Sequence, residues 1–158
     1  MYKRQGYNKV SLDAKGRVSI PAKYRSDLKK EDQNNIIITK DPQYPSLKAY
    51  PFKEWEKISM KLQSLQGLDP IVRNIQWTIL GNAHFSEFDV DGRMLIRIPF
   101  DLQEYAEIGS ENKIALIGMG NKFEIWNINN WQLRQTGGSL SAEILDVVLP
   151  ESIKSMSF

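Results

Sequence analysis

Two five-residue segments of the chain begin with an aspartate and end in a glycine followed by an arginine. Residues 13–17 read Asp-Ala-Lys-Gly-Arg, and residues 89–93 read Asp-Val-Asp-Gly-Arg. Gly16 and Gly92 favour tight turns, because glycine adopts positive φ at little cost. The arginine after each glycine carries a planar fork of N–H groups, which suits a phosphate or the edge of a guanine. The two motifs therefore indicate contact with a polyanion.

Each arginine also has a simpler interpretation, as the ion-pair partner of the aspartate in its own motif. Partly exposed pairs of this kind contribute about 0–1 kcal/mol to stability. The two interpretations are compatible, because an aspartate that binds the guanidinium can also orient it. We predict that Arg17 and Arg93 contact DNA. The residues expected to shape the two turns are Asp13, Gly16, Asp89 and Gly92.

The two turns differ in charge, because Lys15 of the first corresponds to Asp91 of the second. Residues 1–79 carry 15 basic and 8 acidic side chains, whereas residues 80–158 carry 6 and 11. Attraction to phosphate scales with local basic charge. We therefore expect Lys15 to bind DNA beside the first arginine, and the first repeat to dominate the contact. Further candidates for phosphate contact, each with a solvated surface side chain as the alternative, are Lys9, Lys23 and Arg25.

Several classes of site are excluded by composition. The chain has no cysteine and a single histidine, His84, which excludes disulfides, thiol catalysis and zinc sites built on thiolates. No pair of carboxylates is grouped for acid–base work, so we expect no enzyme, no cofactor and no metal. No apolar run reaches the roughly 18–20 residues of a membrane span, and no signal-peptide pattern opens the sequence. We expect a cytoplasmic protein without membrane contact.

An internal repeat organises the chain. Residues 12–17 recur as 88–93 at an offset of 76 residues, and the Ile-Pro dipeptide at 20–21 recurs at 98–99 at an offset of 78. The second copy thus has two extra residues, which the first copy recovers in a longer loop at 41–46. Matched turns with matched downstream dipeptides indicate a tandem duplication of one supersecondary unit.

The elements of each copy follow from periodicity and turn residues. Alternation of polar and apolar residues predicts two short strands at 9–12 and 17–20, joined as a hairpin by the first turn. Further strands are predicted at 35–39, 47–50, 85–90, 93–98, 113–118 and 122–126. Helices are predicted at 22–28, 51–66, from 69–70 onward, at 99–107, from 127 to the glycines at 137–138, and at 141–149.

These elements predict a mainly β fold with peripheral helices, of the α+β class. A four-stranded half cannot bury both of its faces alone, so we expect the two repeats to close one pseudo-symmetric β-barrel. The predicted boundaries are repeat 1 at 7–54, a helical spacer at 55–82, repeat 2 at 83–130 and a helical tail at 131–158.

The motifs resemble those of a known family. Residues 11–25, from the first turn through Ile-Pro to the following helix, resemble the first half of the MraZ transcriptional regulators. Residues 120–126 resemble the signature of the second half, and the similarity extends from residue 1 to about 131. Each half is similar to the swapped-hairpin unit of AbrB and SpoVT, which normally dimerises to form a barrel.

The resemblance implies a bacterial, nucleoid-associated, sequence-specific regulator that binds double-stranded DNA. It implies action on the promoter of the division and cell-wall gene cluster, and assembly into ring-like homo-oligomers. From the residues alone we also expect an oligomer larger than a dimer, because the helices of Trp55, Trp77 and Trp131 hold more apolar residues than a small barrel needs. The alternative is a ring-forming structural or protein-interaction scaffold with incidental DNA affinity.

Overall fold

A computed structural model of the chain describes residues 4–31, 35–66, 69–88, 94–111 and 113–137. The chain divides into two compact units, residues 1–128 and residues 129–158. All strands and the first four helices belong to the first unit. The described part of the second unit is helical, and the helix predicted at 141–149 lies outside the described residues.

The described chain forms eight strands and five helices. Those in the first half are β1 (Gln5–Ser11), β2 (Arg17–Ser19), α1 (Ala22–Glu31), β3 (Asn35–Lys40), β4 (Ser46–Pro51), α2 (Phe52–Ser64) and α3 (Pro70–Gly81). Those in the second half are β5 (His84–Glu87), β6 (Leu95–Arg97), α4 (Phe100–Tyr105), β7 (Lys113–Met119), β8 (Phe123–Asn127) and α5 (Ile128–Gly137). The predicted mixture of strands and peripheral helices is confirmed.

The helical spacer forms for the reasons that its sequence suggests. In α3, Asp69 is the N-cap and its side chain accepts a hydrogen bond from the Ile71 amide at 2.9 Å, while Pro70 fills the first position, where no donor is needed. Trp55 and Leu62 lie on the buried face of α2. They pack with residues of β3, β4 and α3 in a small core on one side of the sheet.

The strands form a six-stranded sheet of order β1-β7-β8-β4-β3-β5 and a separate two-stranded sheet of β2 and β6, which we call the ribbon. All pairs are antiparallel. The hydrogen-bonded ladder of the large sheet stops at β1 and at β5, so the predicted closed barrel is not confirmed. Next to the β5 edge, the Ser86 hydroxyl donates a hydrogen bond to the Arg97 carbonyl of the ribbon at 3.0 Å.

The predicted hairpin of β1 with β2 is wrong. β1 pairs with β7, and β2 pairs with β6, so each of these two strands of the first repeat has its partner in the second repeat. The turn between them still forms, but it redirects the chain from the large sheet into the ribbon. Alternation of side chains shows that a segment is a strand, but it carries no information about the partner strand.

The register of the ribbon locates the two extra residues of the second repeat. Val18 lies opposite Ile96, an offset of 78 residues, whereas the equivalent core residues Leu12 and Phe88 are offset by 76. Pairing is continuous through the ribbon, since the Ile20 amide also donates to the Met94 carbonyl at 3.1 Å. The extra residues therefore lie before the ribbon and do not form a bulge within it.

One hydrophobic core joins the ribbon to the large sheet. The inward residues of the ribbon, Val18 and Ile96, are each 3% exposed and belong to the same cluster as Ile38, Leu116 and Phe123 of the large sheet. A cavity between these layers, lined by Val18, Ile96 and Phe123 among others, has a volume of only about 10 Å³. The outward residues of the ribbon are thereby held on a firmly packed support.

Candidate nucleic-acid interface

The first turn closes on itself through its backbone. The Asp13 amide donates to the Arg17 carbonyl at 2.9 Å, and the Gly16 amide donates to the Asp13 carbonyl at 3.0 Å. Gly16 has a φ of 75°, the left-handed region that glycine tolerates best. A Cβ at this position would also lie 2.7 Å from the Gln103 Nε2. The left-handed conformation therefore requires the glycine that the turn motif places here, whereas the Gln103 amide is the end of a flexible side chain that can move aside.

The carboxylate of Asp13 organises the turn and orients the arginine. Its Oδ1 accepts hydrogen bonds from the Lys15 amide at 2.9 Å and from the Arg17 amide at 2.8 Å. Its Oδ2 accepts one from the Arg17 Nε at 2.7 Å. The backbone bond from Arg17, with further bonds from its side chain and from Lys15, holds the pKa of Asp13 below its ordinary value of 3.8. The aspartate thus fixes the base of the guanidinium group.

We expect Asp13→Asn to lower stability at neutral pH but not in acid. The asparagine keeps an oxygen for the two amides and loses the charge that binds the guanidinium. Because the folded pKa of Asp13 is depressed, its contribution is complete above about pH 4 and is lost as pH falls through the folded value. Unfolding midpoints measured from pH 7 to pH 2 should therefore differ between wild type and variant at pH 7 and converge in acid. A constant difference across the range would contradict the assignment.

The structure brings together two arginines that the repeat does not align. Arg17 of β2 lies directly opposite Arg97 of β6 in the ribbon. Val18 and Ile96, the next residues along the two strands, point into the core, so the alternation of strands directs both arginines outward. Arg97 is exposed, and Arg17 is about one-third exposed. The outward face of the ribbon therefore presents two guanidinium groups side by side.

Arg97 was not among the predicted contacts, although the sequence contained a signal for it. Alignment on the turns matches Arg17 with Arg93, but alignment on the Ile-Pro dipeptides matches it with Leu95. In an antiparallel pair centred on Val18 and Ile96, the residue before one centre faces the residue after the other. The second alignment would thus have placed Arg97 opposite Arg17.

Arg25 anchors the junction between the ribbon and α1. Its Nε donates to the Ile20 carbonyl at 2.8 Å, and its Nη2 lies 3.4 Å from the Ser19 hydroxyl. Ser19 is on the outward face of β2, two residues from Arg17. The predicted site residue Arg25 is therefore placed on the same face as Arg17 and is held there by backbone and side-chain acceptors.

The other predicted cations occupy different surroundings. Lys15 is exposed in the first turn, next to Arg17. Lys9 is exposed on β1, which pairs with β7 and not with the ribbon. Lys23 places its Nζ 5.0 Å from the centre of the Tyr24 ring and close to Gly6. The structure thus groups Lys15, Arg17 and Arg25 on or beside the ribbon and separates Lys9 and Lys23 from them.

The second turn, with Asp89, Asp91, Gly92 and Arg93, lies outside the described residues. Within the described residues, a cleft of about 330 Å³ opens between the first turn and α4. Lys15, Arg97 and the 71%-exposed Phe100 line it, together with Gln103. Two cations and an aromatic ring therefore border one hollow beside the outward face of the ribbon.

Among the described residues, no group of three histidine, aspartate or glutamate side chains is arranged to hold a metal ion. The helices within the same ranges are too short or too polar to span a membrane.

Comparison with known proteins identifies the family to which this arrangement belongs. The family model described as "MraZ protein, putative antitoxin-like" matches residues 5–76 and 79–137. This chain belongs to the MraZ family. One matched segment contains the first copy of the repeat and the other contains the second copy, which confirms the resemblance inferred from the turn motifs.

Named members of the MraZ family align with most of the chain. The transcriptional regulator MraZ of Colwellia psychrerythraea is 37% identical over 153 residues, or 97% of this chain and 98% of that protein. Those of Pseudoalteromonas atlantica and Nitrosomonas europaea are each 43% identical, over 81% and 82% of this chain and 82% and 84% of their own lengths. The chain is an MraZ-like transcriptional regulator, which is consistent with the expectation that it is not an enzyme.

Proposed function

We propose that this protein regulates transcription by binding double-stranded DNA in a sequence-specific way, through the first turn and the outward face of the ribbon. The observation that carries the proposal is the Asp13 carboxylate, which binds the turn amides and the Arg17 Nε at once. A guanidinium held at its base loses less freedom when its outer N–H groups bind an acceptor. The proposed promoter is that of the bacterial division and cell-wall gene cluster, as the resemblance implies.

The shape of the ribbon supports recognition in the major groove. The groove of B-DNA is about 12 Å wide and admits a two-stranded β-ribbon. Arg17 would reach a base edge or a phosphate, while Lys15 and Arg25 on the same surface would bind flanking phosphates. We also propose phosphate contacts for Lys9 and Lys23, which we expect to be weaker than those of the ribbon residues. Arg93, which lies outside the described residues, is a further proposed contact.

A salt titration tests the proposal. Binding to a duplex from the region upstream of the gene that encodes this protein is compared with binding to a scrambled duplex of the same composition. Nonspecific affinity falls steeply with salt. We expect the upstream duplex to remain preferred by about tenfold or more after this common electrostatic part is subtracted. Equal affinities at every salt concentration would contradict a sequence-specific regulator and favour the scaffold with incidental DNA affinity.

We also propose that the protein forms a homo-oligomer larger than a dimer, of ring-like form. The helical spacer exposes large apolar side chains that the fold of one chain does not bury. Trp55 is buried, but Met60 and Ile71 are each 71% exposed and Trp77 is 65% exposed. Neighbouring copies would cover these residues. Oligomerisation on several promoter repeats would raise the total affinity without new contacts.

Light scattering on the full chain at micromolar concentration measures the assembly. We expect a mass well above that of a dimer, and we expect Trp77→Glu to reduce it, because a charge at the interface is costly to bury. Lys53→Glu on the same spacer is the control for charge alone. A stable monomer for the wild-type chain would overturn the proposal.

The ribbon takes one strand from each repeat, and we propose that it completes a barrel-like closure without a continuous ladder. We propose repeat 1 at 7–54, the spacer at 55–82, repeat 2 at 83–130 and the tail at 131–158 as the functional segments. We also propose association with the nucleoid in the cytoplasm.

A further inference from the structure

We propose that Arg97 is the DNA-binding partner of Arg17, and that the two guanidinium groups bind one backbone phosphate between them. This inference rests on the proposed function and adds a contact from the second repeat that the turn motif does not include. It replaces the expectation that the first repeat dominates with a site that both repeats build.

The hydrogen bonds of the ribbon show that Arg17 and Arg97 form a close pair. The Ile98 amide donates to the Gly16 carbonyl at 2.9 Å. Gly16 and Ile98, the neighbouring pair, are therefore the hydrogen-bonded pair of the ladder. The amide and the carbonyl of Arg17 are both engaged by Asp13 instead. Arg17 and Arg97 are therefore a non-hydrogen-bonded pair, the kind whose Cα atoms are about 4.5 Å apart and whose side chains are closest.

Two like charges at directly opposite positions destabilise a β-ribbon. Asp13 offsets part of the charge of Arg17, to which it is bound at 2.7 Å. Among the described residues, no carboxylate lies within ion-pair distance of Arg97. An anion placed between the two groups would remove the repulsion, and a phosphate accepts hydrogen bonds from both forks at once.

The surroundings of Arg97 favour a phosphate of DNA over an isolated surface charge. The cleft that Arg97 lines is bordered by Lys15 and by the first turn. A duplex that contacts Arg17 and Lys15 therefore passes directly over Arg97. The pseudo-twofold axis that relates the two repeats passes between Val18 and Ile96, and it relates the arginine pair to the pair Ser19 and Leu95. Neither Ser19 nor Leu95 is charged, so an arginine pair occurs at only one of these two related positions.

The inference is tested by DNA binding of Arg97→Gln, which keeps much of the length of the side chain and removes its charge. We expect binding near 0.1 M salt to weaken roughly five- to tenfold, and the slope of log affinity against log salt to fall by about one. The loss should be the same on upstream and scrambled duplexes, because a phosphate contact reads no sequence. Arg97→Lys should recover most of the affinity.

Two controls separate this contact from general charge and from misfolding. Lys40→Gln removes a cation of β3 whose Nζ lies 4.9 Å from the centre of the Tyr105 ring, and we expect it to leave the salt slope unchanged. Without DNA and in low salt, the unfolding temperature of Arg97→Gln should be no lower than that of wild type. Any increase should disappear in high salt, which screens the repulsion between the two arginines. A large drop in unfolding temperature would overturn the argument from like charges.

The double variant Arg17→Gln/Arg97→Gln tests whether the two groups share one phosphate. If they do, the double variant should lose less affinity than the product of the two single losses. Unchanged affinity and slope in Arg97→Gln, with Arg17→Ala still relaxing the upstream preference, would overturn this inference and leave the proposed function intact. If Arg97→Gln lowers the salt slope but the wild-type protein shows no preference for the upstream duplex, the phosphate contact of Arg97 stands and sequence-specific regulation is contradicted.

Discussion

Replacement of Arg17 by alanine is expected to weaken binding to promoter DNA by about 1–3 kcal/mol if the guanidinium binds a base edge. Preference for the promoter over a scrambled duplex should relax at the same time. If Arg17 binds phosphate alone, both duplexes should lose affinity equally and the salt slope should fall by about one. Fluorescence anisotropy with both duplexes across a range of salt concentrations distinguishes these results.

The structure supplies a matched control for this substitution. Asp13→Asn keeps Arg17 but releases its Nε from the 2.7 Å ion pair, so its effect on DNA binding should be smaller than that of Arg17→Ala and in the same direction. Circular dichroism checks that both variants fold. Unchanged affinity, preference and slope in folded Arg17→Ala would reduce Arg17 to the structural ion-pair partner of Asp13.

Substitution of Gly118 by alanine is expected to cost about 3 kcal/mol of folding free energy, at the upper end of overpacking effects. A Cβ on Gly118 would lie 1.9 Å from the Arg4 carbonyl oxygen and 2.7 Å from its carbonyl carbon. These are backbone atoms, so the start of β1 must move away from β7 to make room. Chemical denaturation of the variant and of wild type measures the loss.

Gly109→Ala is the control, because a Cβ at that position has no atom within 4 Å. It should change the unfolding free energy by less than about 0.5 kcal/mol, as surface substitutions usually do. If Gly118→Ala is equally mild, β1 does not approach β7 as closely as the structure shows. DNA binding of folded Gly118→Ala should remain dependent on Arg17, since the clash lies outside the ribbon.

The sequence by itself determined the features that depend on neighbouring residues. The turn at 13–17 follows from an aspartate, a glycine and an arginine at fixed spacing, and the observed bonds of Asp13 to the amides of Lys15 and Arg17 are local. The cap at Asp69 with Pro70 is equally local. The duplication was also legible, because repeated residue types at a fixed offset need no structure to be recognised.

Tertiary structure alone decided which strands pair. β1 and β2 are adjacent in sequence and each alternates polar and apolar residues, yet each pairs with a strand of the other repeat. Period-two alternation specifies which face of a strand is buried, and several strands of similar pattern can serve as partner. Burial of Val18 and Ile96 against the large sheet selects the arrangement that is observed.

The pairing of Arg17 with Arg97 is a consequence of that choice. Its two members are 80 positions apart in the chain, and the turn motifs align Arg17 with Arg93 instead. A shift of two residues preserves the face of each side chain, so both alignments predict an outward arginine. Which one faces Arg17 depends on the register of β2 against β6, and that register is fixed by the packing of the core between the ribbon and the sheet.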